Sequence, residues 1–201
     1  RVLFRSESMT RDRARLLREA GFRSVEAGLQ SIHPGVLRKV RRSFDREKFL
    51  RGAGFLRDEG IEIRTGVILG LPGDTRDGFR QTLDFVAESG LGPGAEIYPL
   101  AILPGTELRS RAAEFGLDHM PRPPYWTLRT PAFPEEDMIA AVADAEDILG
   151  IEYFRPIPPR FSSLPGWTGF ADLGRPGAAG ALAEGPEKIA SDLTLLVPGR
   201  L

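Results

Sequence analysis

Ile61-Glu62-Ile63-Arg64-Thr65-Gly66-Val67-Ile68-Leu69, broken by Gly70-Leu71-Pro72-Gly73-Asp74-Thr75, is the stretch on which the fold class turns. The apolar run reads as a strand, and the glycines and prolines after it fix a tight turn. From Thr75 to Glu88 the pattern changes to helical spacing, with Phe79, Leu83, Val86 and Ala87 on one side and Ser89-Gly90 at the close.

The same order repeats outward in both directions. Asp45 to Glu59 places Phe49, Leu50, Ala53 and Leu56 near helical spacing, although Gly52 and Gly54 weaken that helix; Gly60 ends it. Before it come a short helix from Pro34 to Val40, a strand Ser24-Val25-Glu26-Ala27-Gly28-Leu29, and a helix over residues 11 to 20. Thr10 caps this last helix, Leu16, Leu17 and Ala20 share one of its faces, and Gly21 stops it. Arg1 to Arg5 reads as a strand, and a chain that opens inside a strand on Arg1 is expected to be part of a longer protein. Downstream lie a strand from Ala95 to Leu103, a helix around Glu107 to Phe115, a proline-rich loop from Pro121 to Pro134, a helix from Glu135 to Leu149 and a strand from Ile151 to Phe154. Strands and helices in alternation build a parallel sheet with covering helices, an α/β fold. Beyond Pro156 the chain is rich in Gly, Ala and Pro, with one further strand candidate at Leu193 to Val197. The expected organisation is therefore one α/β domain over residues 1–155 and an irregular tail over 156–201.

The chain has 201 residues and a formal net charge of -1, so no overall basic field favours nucleic acid. No apolar run reaches the length of a membrane span and no leader opens the chain, which leaves a cytoplasmic protein without a membrane partner as the expectation. Cysteine is absent, which excludes disulfides, a catalytic thiol and any cysteine-held iron–sulfur cluster within these residues.

Three strand ends carry unusual turns: Gly28-Leu29-Gln30-Ser31, Gly66 to Thr75, and Leu103-Pro104-Gly105-Thr106. In a parallel β/α assembly these ends open on one face, where ligands bind. Glycine lets backbone approach a ligand closely, and Gln30 can fork onto neighbouring hydroxyls of a ribose. Any one of these turns alone reads as a strand terminator; together they read as nucleoside-binding. A phosphate loop is disfavoured, because Asp74-Thr75 follows Gly73 where a Walker sequence needs Lys and then Ser or Thr.

The run Val25 to Ser31, then Val36-Leu37 and Arg42, then Gly66 to Thr75, then Leu103 to Thr106, resembles the middle and late part of a radical S-adenosylmethionine (radical SAM) core, closest to members with an upstream cobalamin-binding domain. The resemblance covers roughly residues 1 to 155. It implies a partial (β/α)6 barrel of which these strands are the third onward, so that the chain forms an incomplete parallel β/α barrel. It also implies S-adenosylmethionine and a 4Fe-4S cluster as cofactors, cobalamin in the parent protein, and a 5′-deoxyadenosyl radical as the product of reductive cleavage. By this resemblance Gln30 meets the ribose hydroxyls and Arg42 reaches the methionine end. Gly66, Ile68 and Gly70 match the family's G-x-I-x-G run, with Ile68 against adenine, while Tyr98 and Leu100 border the same pocket. The chain departs from the family in having no Asp at Gly66 and Gly73-Asp74 where the motif ends in Glu. The cluster cysteines would lie before Arg1, which leaves the chain alone inactive; a small-molecule substrate and a reductant protein are the parent's implied partners.

Other features carry less. Arg38-Lys39-Val40-Arg41-Arg42, without interleaved aromatics, reads as a solvated face, and no nucleic-acid partner is expected from it. His33 and His119 are far apart and read as turn or surface residues, Glu135-Glu136-Asp137 as a response to the helix dipole, and Tyr125-Trp126 as a loop anchor. Two functions remain open: the nucleoside-facing part of a radical SAM enzyme, or a cluster-less α/β module that binds a nucleoside or a protein.

Overall fold

The computed structural model describes residues 3–4, 6–151, 169–172 and 193–196. Four parallel strands, β1 (Leu3–Phe4), β2 (Ser24–Gln30), β3 (Glu62–Leu69) and β4 (Ala95–Pro99), form one sheet in the order β1-β2-β3-β4. Between them run α1 (Arg11–Glu19), α2 (Pro34–Lys39), α3 (Arg46–Asp58) and α4 (Arg76–Glu88). After β4 come α5 (Glu107–Ser110), the antiparallel pair β5 (Asp118–His119) and β6 (Thr127–Arg129), and α6 (Glu135–Leu149). Parallel neighbours with intervening helices are what the alternating pattern predicts.

The helix starts follow their capping residues: Thr10, Asp45 and Thr75 accept from the backbone N–H of Arg13, Lys48 and Gly78. Each strand then sorts its side chains by parity. Val25, Ala27, Leu29, Ile63, Val67, Leu69 and Ile97 join one core with Phe49, Ala53 and Leu56 of α3, Phe79, Leu83 and Val86 of α4, and Met138, Ala141 and Ala145 of α6. The opposite face, with Glu26, Gly28, Arg64, Ile68, Glu96 and Tyr98, is only half-buried or exposed apart from Gly66. One face of the sheet is thus helix-covered and the other is the inner wall of an open barrel.

Helix α4 is clamped to α6 by charge. Asp144, nearly buried, accepts from Arg76 Nε at 2.7 Å and Nη2 at 3.0 Å and from Arg80 at 2.8 Å. The hydrogen bond from Arg76 holds the Asp144 carboxyl below its ordinary range against the cost of burial.

Several expectations are corrected. Leu16 is 59% exposed and Ala20 is exposed, because α1 presents Ala14 and Leu17 to the core instead. Ala87 is exposed, and Phe85 takes its place, packing with Phe44 and Phe49 at ring-centroid distances of 5.6 Å and 6.4 Å. The strand from Ala95 ends at Pro99 because the next residues turn to pair with the proline-rich loop: Thr127 N–H donates to Leu100 O and Ile102 N–H to Tyr125 O. That loop therefore contains β6. The helix at Glu107 stops at Ser110, and Gly116, at φ +63°, turns Leu117 into a second apolar cluster with Val36, Leu71, Leu100, Ile102 and Ala112.

The chain divides into two units, Arg1–Tyr153 and Phe154–Leu201. In the second, β7 (Gly169–Asp172) pairs in parallel with β8 (Leu193–Leu196), which realises the strand expected at Leu193 and supplies a partner the sequence did not indicate. The rest of the irregular tail expected over 156–201 lies outside the described residues, as do residues 152–154 of the strand expected at Ile151.

The glycines that weaken α3 on paper behave differently from each other. A Cβ on Gly52 would collide with the carbonyl oxygen of Ser6 and stand 3.1 Å from Met9 Cβ, whereas one on Gly54 would meet nothing within 4 Å. Gly52→Ala is expected to destabilise the chain by about 1–3 kcal/mol through overpacking. Gly54→Ala should stabilise it by up to about 1 kcal/mol through helix propensity. Urea unfolding followed by circular dichroism measures both.

Candidate functional site

The C-terminal ends of β2 and β3 meet at two glycines. Gly28 and Gly66 are register partners, and Gly66 is in turn the partner of Glu96 on β4. Neither glycine carries a side chain, and at Gly66, which is buried, the space is taken by the neighbouring Tyr98 ring and the Glu26 carboxylate. Gln30 lies beyond the glycine pair on β2, and Ile68 with its partner Tyr98 beyond it on β3 and β4. The Tyr98 ring leans over Gly66, its Cε2 3.4 Å from where a Cβ on Gly66 would stand, and Tyr98 is 38% exposed. Its hydroxyl donates to Glu96, whose other oxygen accepts from Arg64 at 3.2 Å, so the ring is tethered at its polar end. A flat group could stack on the exposed face of the Tyr98 ring, above the glycine it covers.

Gln30 holds a backbone φ of +69°, a left-handed conformation that a non-glycine residue adopts at a cost of about 1–3 kcal/mol and that marks turns and sites. Its cause is a register shift between Gly28 and Gln30, a bulge that re-aims the end of the strand. Arg42 braces the bulge by donating from Nη2 to the Gly28 carbonyl at 2.7 Å. The structure therefore brings Gly66, Ile68 and Tyr98 to one face and places Arg42 against the neighbouring strand; Gln30, shifted in register by the bulge, pairs with core-facing Val67 at the end of that strand. Gly70 and Leu100 pack elsewhere. The vacant side-chain position of Gly70, at φ +87°, faces Met138 and Thr127. Leu100 is buried in the second apolar cluster, with its N–H on Leu69 O and its carbonyl on Thr127 N–H.

Two residues read from sequence as unremarkable join the turns behind this surface. His33 Nε2 donates to the Gly78 carbonyl at 2.8 Å, and Ile32 N–H reaches Thr82 Oγ1 at 3.4 Å, strapping the turn after Gln30 to the first turns of α4. Asp74 is 2% exposed; one oxygen accepts from Thr75 N–H at 2.9 Å, and the other has no hydrogen-bond partner among the described residues. Burial pushes the Asp74 carboxyl up, opposed by the Thr75 hydrogen bond and the nearby His33. No local sequence signal marks that burial, since an Asp before a helix ordinarily reads as an exposed cap. Among the described residues no group of three or more His, Cys, Asp or Glu is placed to hold a metal, and no helix is long and apolar enough to cross a membrane.

Residues 2–86 match the family model described as the radical SAM superfamily. Protein YhcC of Escherichia coli (strain K12) is 33% identical over 92 residues, which cover 46% of this chain and 29% of that protein. The tRNA-2-methylthio-N(6)-dimethylallyladenosine synthase of Acidothermus cellulolyticus is 39% identical over 80 residues, covering 39% of this chain and 16% of that one. The chain thus spans less than a third of the length of these relatives. Among solved structures, coproporphyrinogen III oxidase (HemN) from Escherichia coli, a radical SAM enzyme, matches at TM-score 0.56 and 22% identity over 75% of this chain and 32% of that one. The radical S-adenosylmethionine methyltransferase TsrM from Kitasatospora setae, with cobalamin and a [4Fe-4S] cluster bound, matches at TM-score 0.60 and 19% identity over 92% of this chain and 44% of that one. The two solved structures establish the fold as that of a partial radical SAM barrel. The resemblance read from the motifs stands on the family match as well.

The buried carboxyl at Asp74 has a consequence for stability. Its folded pKa lies above the unfolded one, so between the two the folded state binds more protons and stability falls as pH rises. Asp74→Asn removes this term. Urea midpoints measured from pH 4 to pH 8 are expected to decline with pH more steeply in the native chain than in Asp74→Asn, with the variant gaining on the native chain toward pH 8.

Proposed function

We propose that this chain forms the ribose- and adenine-facing wall of an S-adenosylmethionine pocket in a radical SAM enzyme. The observation that carries the reading is the pairing of Gly28 with Gly66 beside the partly exposed Tyr98 ring, at the strand ends where parallel β/α folds bind ligands. The residues suit a nucleoside: a Cβ at Gly66 would press on the Tyr98 ring at 3.4 Å and disturb its placement, and Gln30 offers a donor and an acceptor to vicinal hydroxyls. Ile68 supplies an apolar contact for the adenine, and Arg42 holds the Gly28 carbonyl in place and with it the bulge that aims Gln30. In this reading Gly70 shapes the turn, and Leu100 supports the wall from the second apolar cluster.

The 4Fe-4S cluster does not fit these residues, because the sequence contains no cysteine. Its ligands, and the cobalamin of the proposed parent, are assigned to residues other than these 201. S-adenosylmethionine, when bound and reductively cleaved, supplies the 5′-deoxyadenosyl radical; this chain's share is to hold and orient the nucleoside. The proposed partners are a small-molecule substrate and a reductant protein, and a reductant-dependent cluster would place the parent in the reducing cytoplasm. The zero cysteine count also favours a second reading, a cluster-less module that keeps the same wall to bind a nucleoside.

Calorimetric titration of S-adenosylmethionine into the chain tests the pocket. Gln30→Ala is expected to weaken binding about 5- to 10-fold, as for the loss of one or two hydrogen bonds. Gly66→Val, which pushes the Tyr98 ring from its place, should abolish it, and no binding to the native chain would sink the proposal. The complete gene, reconstituted anaerobically with iron and sulfide, then separates the two readings. Release of 5′-deoxyadenosine that drops in Gln30→Ala supports the enzyme, and nucleoside binding without release supports the module.

A further inference from the structure

The strained backbone at Gln30 is imposed by residues on both sides of it. Ser31 N–H donates to Leu29 O at 3.0 Å, closing a three-residue turn with Gln30 at its centre, and at φ +69° this is the rare, strained sense of such a turn. A non-glycine residue persists in that conformation only where its surroundings over-determine it. The entry to the turn is fixed by Arg42 on the Gly28 carbonyl. The exit is fixed through half-buried His33, whose N–H donates to Ser31 Oγ at 3.1 Å. Its ring Nε2 donates to the Gly78 carbonyl at 2.8 Å, on the first turn of α4 and 45 residues along the chain. Thr82 Oγ1 donates to the same carbonyl at 3.1 Å and accepts a longer bond from Ile32 N–H at 3.4 Å. Gly78 gives the ring its room: His33 Cδ2 is 3.4 Å from where a Cβ would stand, although glycine inside a helix is unfavourable by propensity.

We infer that His33 is a positioning residue for Gln30: by tying the exit of the turn to α4, it keeps Gln30 in the left-handed conformation from which that residue meets a ribose. The inference rests on the proposed nucleoside pocket for what Gln30 meets, and on the hydrogen bonds alone for how Gln30 is held. Strand β2 ends at Gln30, so sheet pairing does not reach the exit side, and the Arg42 bond acts on the entry only. His33 stands at the N-cap of α2, yet its side chain makes no capping bond there and is engaged by α4 instead. With the imidazole bond lost, the segment after Gln30 is free to relax toward extended backbone while Gly28 stays held. The Gly78 carbonyl would keep Thr82 as a donor, so removing the imidazole leaves no orphaned acceptor to confuse the outcome.

The test compares two substitutions at Gln30 in the full chain. Gln30→Gly and Gln30→Ala both remove the amide side chain, but only glycine enters the left-handed region without strain. Gln30→Gly is expected to unfold about 2–4 °C above Gln30→Ala. Adding His33→Leu to both should cut that difference to under half, because the turn has relaxed. His33→Gln, whose amide nitrogen can take the place of Nε2, should restore it. A His33→Leu chain with a lower midpoint but the difference intact would give His33 a merely structural role and overturn the inference. Calorimetric titration of S-adenosylmethionine reads the consequence for the ligand. His33→Leu should weaken binding about fivefold, and the double variant with Gln30→Ala should bind no more weakly than Gln30→Ala alone. Losses that add would overturn the inference while leaving the pocket standing. A native chain that does not bind would sink the pocket instead, and the midpoint difference would still decide whether His33 holds the turn.

Discussion

A parallel strand covered on one side only has to sort its side chains by parity, and most of this structure follows from how β2, β3 and β4 do so. The odd-numbered apolar residues from Val25 through Ile97 are withdrawn from water against three helices, and their burial is the main favourable term available to a small α/β unit. The other parity is released from packing, and there the chain keeps glycines, charges and a tyrosine. A one-residue slip of register would exchange the two faces entirely, which makes the sheet and its inner wall a single specification. The bulge at Gly28 to Gln30 is the one place where the pairing is allowed to shift, and it lies at the end of β2.

Glycine has different physical duties at the positions that matter. At Gly66 it leaves space that a tyrosine ring takes, at Gly73 it makes room for a lysine, and at Gly52 it lets a helix touch the backbone of another segment. Only the second also depends on a left-handed backbone, at φ +75°. The polar residues divide similarly: Glu96 and Arg64 steady an exposed ring, whereas Asp144 ties two helices together through charge-assisted hydrogen bonds.

What the sequence made legible is what local physics controls. Strands β2 and β3, the cap at Thr10 and the full extent of α6 follow from short-range pattern and composition. The turns after β2 and β3 could be placed on one face because parallel topology leaves no other arrangement, whereas Leu103 to Thr106, expected at a strand end, follows β4 only after it has ended at Pro99. Non-local pairing was not legible: β6 is hidden in a proline-rich loop because one set of its partners, at Leu100 to Ile102, is distant in the chain. The inward face of α1 was misjudged because Leu16 and Leu17 are equivalent by hydropathy and only packing distinguishes them. The left-handed backbone of Gln30 and the burial of Asp74 were likewise invisible, since neither residue type announces such an environment. His33 stands 45 residues from Gly78, so only folding reveals that they meet.

The clamp at Asp144 bears on the order in which the molecule can be completed. Arg76 opens α4, where the partial positive charge of the helix terminus disfavours a cation, and its carboxylate partner comes 68 residues later. At a synthesis rate of roughly 5–20 residues per second, the interval between the two is about 3 to 14 s. During that interval the start of α4, and the turn from Gly70 to Thr75 that leads into it, lack their electrostatic anchor. The start of α4 thus gains this anchor only once α6 has been made.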